Sequence, residues 1–209
     1  MTKKYTATVL GATGLVGRAL VNQLCQDDRY EKITCLVRAP LTQAHYFDPM
    51  KKMEPLVIDF DYLQDYQGYF TVDHVYCCLG TTLKQAGSKK AFRRVDFEFV
   101  HVAAQLARAQ RAGSFVWISS INANAKSNSF YLRVKGELEN AILTMPQLKN
   151  AAAVRPPLLD GQRADYRVGE SFALRALSLL GPLMLGPLAK YRPVRPQQVA
   201  LQMIKLQVF

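Results

Sequence analysis

The chain has 209 residues, 49% of them apolar and 21% charged, a balance that fits one globular domain and excludes general disorder, collagen-like repeats and coiled coil. Lys and Arg number 27 against 16 Asp and Glu, a formal charge of +11, which favours anionic partners: phosphate-bearing ligands, nucleic acid or a membrane surface. Cys25, Cys35, Cys77 and Cys78 form no CxxC pair, and three of them lie in apolar runs. Buried, reduced thiols in the cytoplasm are therefore expected, and no metal site.

Taken in chain order, Thr6–Leu10 predicts a short buried strand, and Leu15–Gln26 a helix with Leu15, Ala19, Leu20 and Leu24 near one face. Lys32–Val37, Glu54–Ile58 and His74–Leu79 read as three more strands. Phe97–Ala112 predicts a helix that places Phe99, Val102, Ala103, Leu106 and Ala109 together and stops at Gly113. A strand over Ser114–Ser119, a helix over Tyr131–Thr144 ended by Pro146, and a strand over Ala151–Val154 follow. Strand–helix alternation with continuously apolar strands implies an α/β fold, a doubly wound parallel sheet of Rossmann type with helices on both faces.

Beyond Arg155-Pro156-Pro157 the pattern changes to a polar loop (Gly161 to Glu170), an apolar helix near Ser171–Leu180, a Pro/Gly turn and a last helix near Pro196–Lys205. This reads as a short annex over about 155–209 within a single domain spanning 1–209. Ala176 to Ala189 is too short for a membrane span and is twice broken by Gly-Pro. The apolar stretch Phe172–Leu188 is read as closing a substrate pocket or as a subunit contact of a homodimer. The basic residues occur as dispersed pairs (Lys3, Lys4; Lys51, Lys52; Lys89, Lys90; Arg93, Arg94) without aromatic interleaving, so no nucleic-acid partner is expected.

Gly11-Ala12-Thr13-Gly14-Leu15-Val16-Gly17 directly follows the first strand and opens the first helix. Such a loop needs one glycine for the tight turn, one for close approach of a pyrophosphate and one for helix–strand packing, and it sets the phosphates on a helix N-terminus. The spacing is GxxGxxG, looser than the strict GxGxxG fingerprint. Arg38 ends the second strand where an NAD site usually carries an acid, and a guanidinium there pairs with a 2′-phosphate; NADP(H) is favoured over NAD(H). Asp59, after the third strand, is placed to accept from the adenine amino group or simply to close its strand end.

Tyr131 and Lys135 stand four residues apart on one helical face, where the cation favours the phenolate. Ser120 precedes Tyr131 by 11 positions, at the carboxyl end of a strand, where open α/β sheets place their ligands. It is placed to hydrogen-bond a carbonyl beside the phenol.

GATGLVG, the Ser119-Ser120 strand end and YLRVK together resemble the short-chain dehydrogenase/reductase family in its atypical, NADP(H)-binding group. CLGTT (Cys78–Thr82), YLRVKGELE (Tyr131–Glu139) and RPPLLDGQRADYRVGE (Arg155–Glu170) narrow the resemblance to the Tat-interacting-protein-like branch. The resemblance spans essentially the whole chain. It implies that Leu79, Gly80 and Thr81 flank the cofactor ribose and that Lys135 binds the nicotinamide ribose. Tyr131 becomes the proton donor or acceptor, Ser120 the carbonyl orienter, and Arg167 an additional cofactor contact. Two departures stand out. The Ser–Tyr spacing is shorter than in the better-studied short-chain enzymes, which leaves Ser119, Ser120 and Asn122 all in play. Arg-Pro-Pro also stands where relatives more often carry Arg-Pro-Gly. The implied activity is NADP(H)-dependent hydride transfer to or from a small carbonyl or alcohol. The alternatives are an NADPH-loaded regulatory or protein-interaction module with little turnover, and a nucleotide-sugar epimerase, for which the chain after Arg155 is short.

Overall fold

Six strands, β1 (Tyr5–Leu10), β2 (Tyr30–Val37), β3 (Met53–Val57), β4 (His74–Cys77), β5 (Ser114–Ile118) and β6 (Ala151–Val154), pair in parallel in the order β3-β2-β1-β4-β5-β6. The computed structural model describes residues 3–148, 150–157 and 193–209. The order reverses between β1 and β4, and that switch point opens a crevice beyond their carboxyl ends.

Successive strand residues point to opposite faces, and both faces are covered, which is why the strands are apolar without alternation. Val9, Cys35, Tyr76 and Val116 enter one core, together with Leu20 and Leu24 of α1 (Leu15–Gln26) and Val199 and Met203 of α6 (Pro196–Lys205). Leu10, Leu36, Cys77 and Trp117 enter the other, against Ala103 and Ala107 of α4 (Phe99–Ala109) and Leu138 and Ile142 of α5 (Phe130–Leu143). Each fully buried side chain of this size contributes about 1.5–3 kcal/mol of transfer free energy. Cys77 and Cys78 face opposite cores, as adjacent strand residues must.

The buried stripes differ from those expected. On α1 the fully buried residues are Val16, Gly17, Leu20, Val21, Leu24 and Cys25, with Leu15 and Ala19 only half-buried. On α4 they are Val100, Ala103, Ala104, Leu106 and Ala107, and Ala109 is exposed. Nor does α4 begin at Phe97. A helical rod starts with α3 (Lys89–Arg93) under an N-cap from Ser88, whose hydroxyl accepts from Ala91 N at 3.0 Å. It passes through a π turn at Arg94–Glu98 before α4. Three further pieces were not expected: a 3-10 turn at Gln43–His45, a one-turn helix α2 (Leu83–Ala86) and a run of 3-10 turns over Phe60–Phe70 broken at Tyr62 and Tyr66. The polar loop 161–170 and the apolar stretch 171–188 lie outside the described residues.

Candidate active site

The crevice has a volume of about 700 Å³ and is walled by the glycine loop, the ends of β2 and β4, and the start of the α3–α4 rod. Gly11 has φ +78, and a Cβ there would lie 2.6 Å from the Cys78 carbonyl carbon. Only glycine allows both the turn and the close approach of the two strand ends. Gly17 packs its bare Cα on the carbonyl of Gly11, where any side chain would overlap the oxygen. Gly14 caps α1 without a side-chain hydrogen bond, so first-turn N–H groups face the crevice. Ala12, Thr13 and Leu15 line the crevice with Gly11 and Gly14, while Val16 and Gly17 lie buried beneath it.

Arg38 lines the crevice at the exposed end of β2, as placed from the sequence. Arg18, one turn into α1, lines it too, and its buried Nε has no hydrogen-bond partner among the described residues. The sequence reading missed it, although an Arg directly after the third loop glycine was the available signal. Two guanidiniums on one wall suit an anion. Asp59 does not line the crevice among the described residues. Its carboxylate accepts from Asp61 N at 2.9 Å and caps the Phe60–Phe70 turns, while its neighbour Phe60 forms wall.

Leu79, Gly80 and Thr81 form the far wall. Behind Gly80, Lys135 is fully buried with its ammonium 2.7 Å from Asp96 Oδ1, the two side chains being 3% and 1% exposed. Asp96 Oδ2 accepts from Thr81 N at 2.8 Å. The Lys135 ammonium also donates toward the Ile118 carbonyl at 3.4 Å. Burial works against its charge, but Asp96, and after it Tyr131, prevail and hold the group above its ordinary range. Asp96 was absent from the sequence reading.

Tyr131 lies one turn before Lys135 on α5, half-buried, its ring centred 5.7 Å from that of Phe92. Gly136 lets α5 press on the backbone of Asn124 and Ala125, which fixes the 120s loop against the Tyr131–Lys135 turn. Of the three candidate orienters, Ser119 is 2% exposed and its Oγ has no hydrogen-bond partner among the described residues. Ser120 is 9% exposed and donates to the Ile121 carbonyl at 3.2 Å, and Asn122 is exposed with φ 61. Pro156 follows β6 and its carbonyl accepts from Ile121 N at 3.0 Å, so the second proline of that segment leaves the loop contact intact. Arg155 forks onto Glu139 of α5 at 2.5 and 2.9 Å. Burial pushes the Cys77 thiol up to about 12 and Cys78 well above its ordinary value, so neither supplies a thiolate near neutral pH. Arg167 lies outside the described residues. Among the described residues no cluster of His, Cys, Asp or Glu has metal-binding geometry, and no helix is long and apolar enough to cross a membrane.

The open first turn of α1, the two guanidiniums and the pocket at Gly80 fit a dinucleotide, and comparison with known proteins agrees. Residues 11–168 match a family model described as NAD(P)H-binding. Protein HTATIP2 of Rattus norvegicus is 33% identical over 166 residues, covering 79% of this chain and 67% of its own. Protein FMP52-1, mitochondrial, of Scheffersomyces stipitis is 32% identical over 163 residues, covering 76% and 69%. In three dimensions, an oxidoreductase of the short-chain dehydrogenase/reductase family from Burkholderia thailandensis superposes with a TM-score of 0.73 at 22% identity, covering 100% of this chain and 87% of that one. The chain belongs to the NAD(P)H-binding family, in the atypical short-chain dehydrogenase/reductase group that includes HTATIP2 and FMP52.

Proposed function

We propose that the protein is an NADP(H)-dependent oxidoreductase that transfers hydride between the nicotinamide and a small carbonyl or alcohol substrate. The observation that carries this reading is the buried Lys135 ammonium behind Gly80, one helical turn from the half-exposed Tyr131, at the carboxyl end of β4. A cation held there has a use in binding ribose hydroxyls and in steadying a phenolate.

When bound, NADPH supplies the hydride. The first-turn N–H groups of α1 would hold the pyrophosphate, and Arg38 and Arg18, which both line the crevice, would hold the 2′-phosphate. Lys135 donates to the nicotinamide ribose. Ser120 turns its hydroxyl from the Ile121 carbonyl to the substrate oxygen, and Tyr131 delivers its proton to that oxygen as negative charge develops. In the oxidative direction Tyr131 accepts the proton. Positioned proton transfer contributes about 10²–10⁴-fold to rate. Tyr131→Phe is therefore expected to lower turnover of a carbonyl panel by about a hundredfold or more, with NADPH affinity nearly unchanged. Full turnover by the variant would remove Tyr131 from the chemistry. NADPH binding without turnover by the unsubstituted protein would favour the interaction-module reading instead.

A further inference from the structure

The Asp96–Lys135 pair asks for more than a structural explanation. Taking two charges out of water costs several kcal/mol per ion, and apolar residues of similar volume usually serve stability as well. The helices that carry the pair are already tied at the surface by Arg93–Glu137 at 2.5 Å, without that cost. The carboxylate is delivered by a π turn, a local departure from helical geometry that occurs often at functional sites. A Cβ on residue 80 would lie 3.5 Å from Asp96 Oδ1 and 3.8 Å from Lys135 Nζ, so the pair sits directly behind the crevice wall at Gly80. Asp96 Oδ1 faces the ammonium at 2.7 Å, while Oδ2 is committed to the Thr81 amide.

We propose that Asp96 is a positioning residue of the cofactor site, locking the Lys135 ammonium and the Thr81 amide into one rigid unit so that Lys135 serves as a fixed cation. The inference rests on the functional reading above and adds a residue to it. Without the carboxylate, Lys135 is a buried cation opposed by desolvation. The groups that face it are then the Tyr131 hydroxyl on α5, the Cys77 thiol on β4 and the Ile118 carbonyl on β5. None of the three carries the fixed negative charge of a carboxylate, so the ammonium gives up its proton or swings away as pH rises.

Asp96→Asn isolates this role, because the amide oxygen still accepts from Thr81 while the charge is gone. The experiment measures NADPH dissociation constants by nucleotide fluorescence between pH 7 and 9.5, for the unsubstituted protein, Asp96→Asn, Lys135→Met and the double variant. The unsubstituted protein is expected to bind with nearly constant affinity across that range. Asp96→Asn is expected to bind about tenfold more weakly at pH 9 and to recover toward pH 7, the size expected for a charge-assisted hydrogen bond. In the Lys135→Met background the same substitution should cost nothing further, since the two act as one. An Asp96→Asn affinity within twofold of the unsubstituted protein throughout, a tighter one, or an equal loss in both backgrounds would overturn the proposal. If Asp96→Asn does not fold, the double variant against Lys135→Met decides: equal affinity supports the proposal, and a further loss overturns it. Failure of the unsubstituted protein to bind NADPH would instead overturn the functional reading, and this inference with it.

Discussion

At the amino ends of β2, β4 and β5 polar side chains bond to one another, whereas the carboxyl ends of β1, β2 and β4 border a crevice. At the closed end, Tyr30 Oη lies 2.7 Å from both His74 Nδ1 and Tyr76 Oη. His74 Nε2 lies 2.8 Å from the Val208 carbonyl, and a carbonyl only accepts, so Nε2 carries the proton and Nδ1 accepts from Tyr30. Tyr76 then donates to Tyr30. Phe209 covers the cluster, edge-on to His74 and capped by the Arg29 guanidinium at 3.8 Å, and Ser114 bonds the Gln207 side chain. At the open end, Arg18 Nε and Ser119 Oγ have no hydrogen-bond partner among the described residues, the first turn of α1 has no side-chain cap, and Lys135 is fully buried against Asp96. One sheet thus carries a packed, hydrogen-bonded aromatic cluster at one end and the crevice at the other.

The comparison breaks most severely at Gly17, which bears on both packing and the crevice. Gly17→Ala drives a methyl into the Gly11 carbonyl, and overpacking of this kind costs about 1–3 kcal/mol, with this site expected near the upper end because the neighbour is backbone. Urea unfolding should show that loss together with weakened NADPH binding, and an unperturbed variant would contradict the packing account. Tyr30→Phe should act at the closed end alone. It leaves His74 Nδ1 without a donor and Tyr76 without an acceptor, a loss of about 1–3 kcal/mol for buried groups left unsatisfied. NADPH affinity should stay the same, and a change in it would mean that the two ends are coupled.

The smallest effect is a pH slope. Burial holds His74 below its ordinary value, against the opposing pull of the Val208 carbonyl and Asp73. Folded His74 is therefore neutral where the unfolded chain begins to bind a proton, below about pH 6.5. Protons then favour the unfolded state, so stability falls as pH drops below about 6.5, by at most about 1.4 kcal/mol per unit for this group. His101, lowered by burial and then by Arg108, adds a share of the same sign. Urea unfolding between pH 7.5 and 5.5 should give a shallower slope for His74→Asn than for the unsubstituted protein, and identical slopes would remove His74 from the account.

Elements with a clean period were legible in the sequence. The bounds of α1, β6 and α6 agree with those read from apolar spacing and from Pro at a helix start. The remaining strands agree to within one or two residues at each end, a difference of fraying. The α3 segment escaped because Lys89, Lys90, Arg93 and Arg94 hide its single buried stripe, although Ser88 signalled the cap. Phe60–Phe70 escaped because short 3-10 turns around Gly68 carry no 3.6-residue period. At the crevice, the positions of the glycine loop and Arg38 were legible from the loop spacing and the strand end, whereas Gly80 came from the family resemblance alone. Asp96 was not legible, since a lone acid among four bases reads as a solvated face. Its clue was its position four residues after the fully buried Phe92 and four before Val100.

The most direct test of the central claim compares the dissociation constants of NADPH and NADH for the unsubstituted protein and for Arg38→Ala. If Arg38 and Arg18 face a 2′-phosphate as proposed, NADPH binds about tenfold or more tightly than NADH, and the preference shrinks in Arg38→Ala. Equal affinity for the two nucleotides, or a preference that survives the substitution intact, would contradict it.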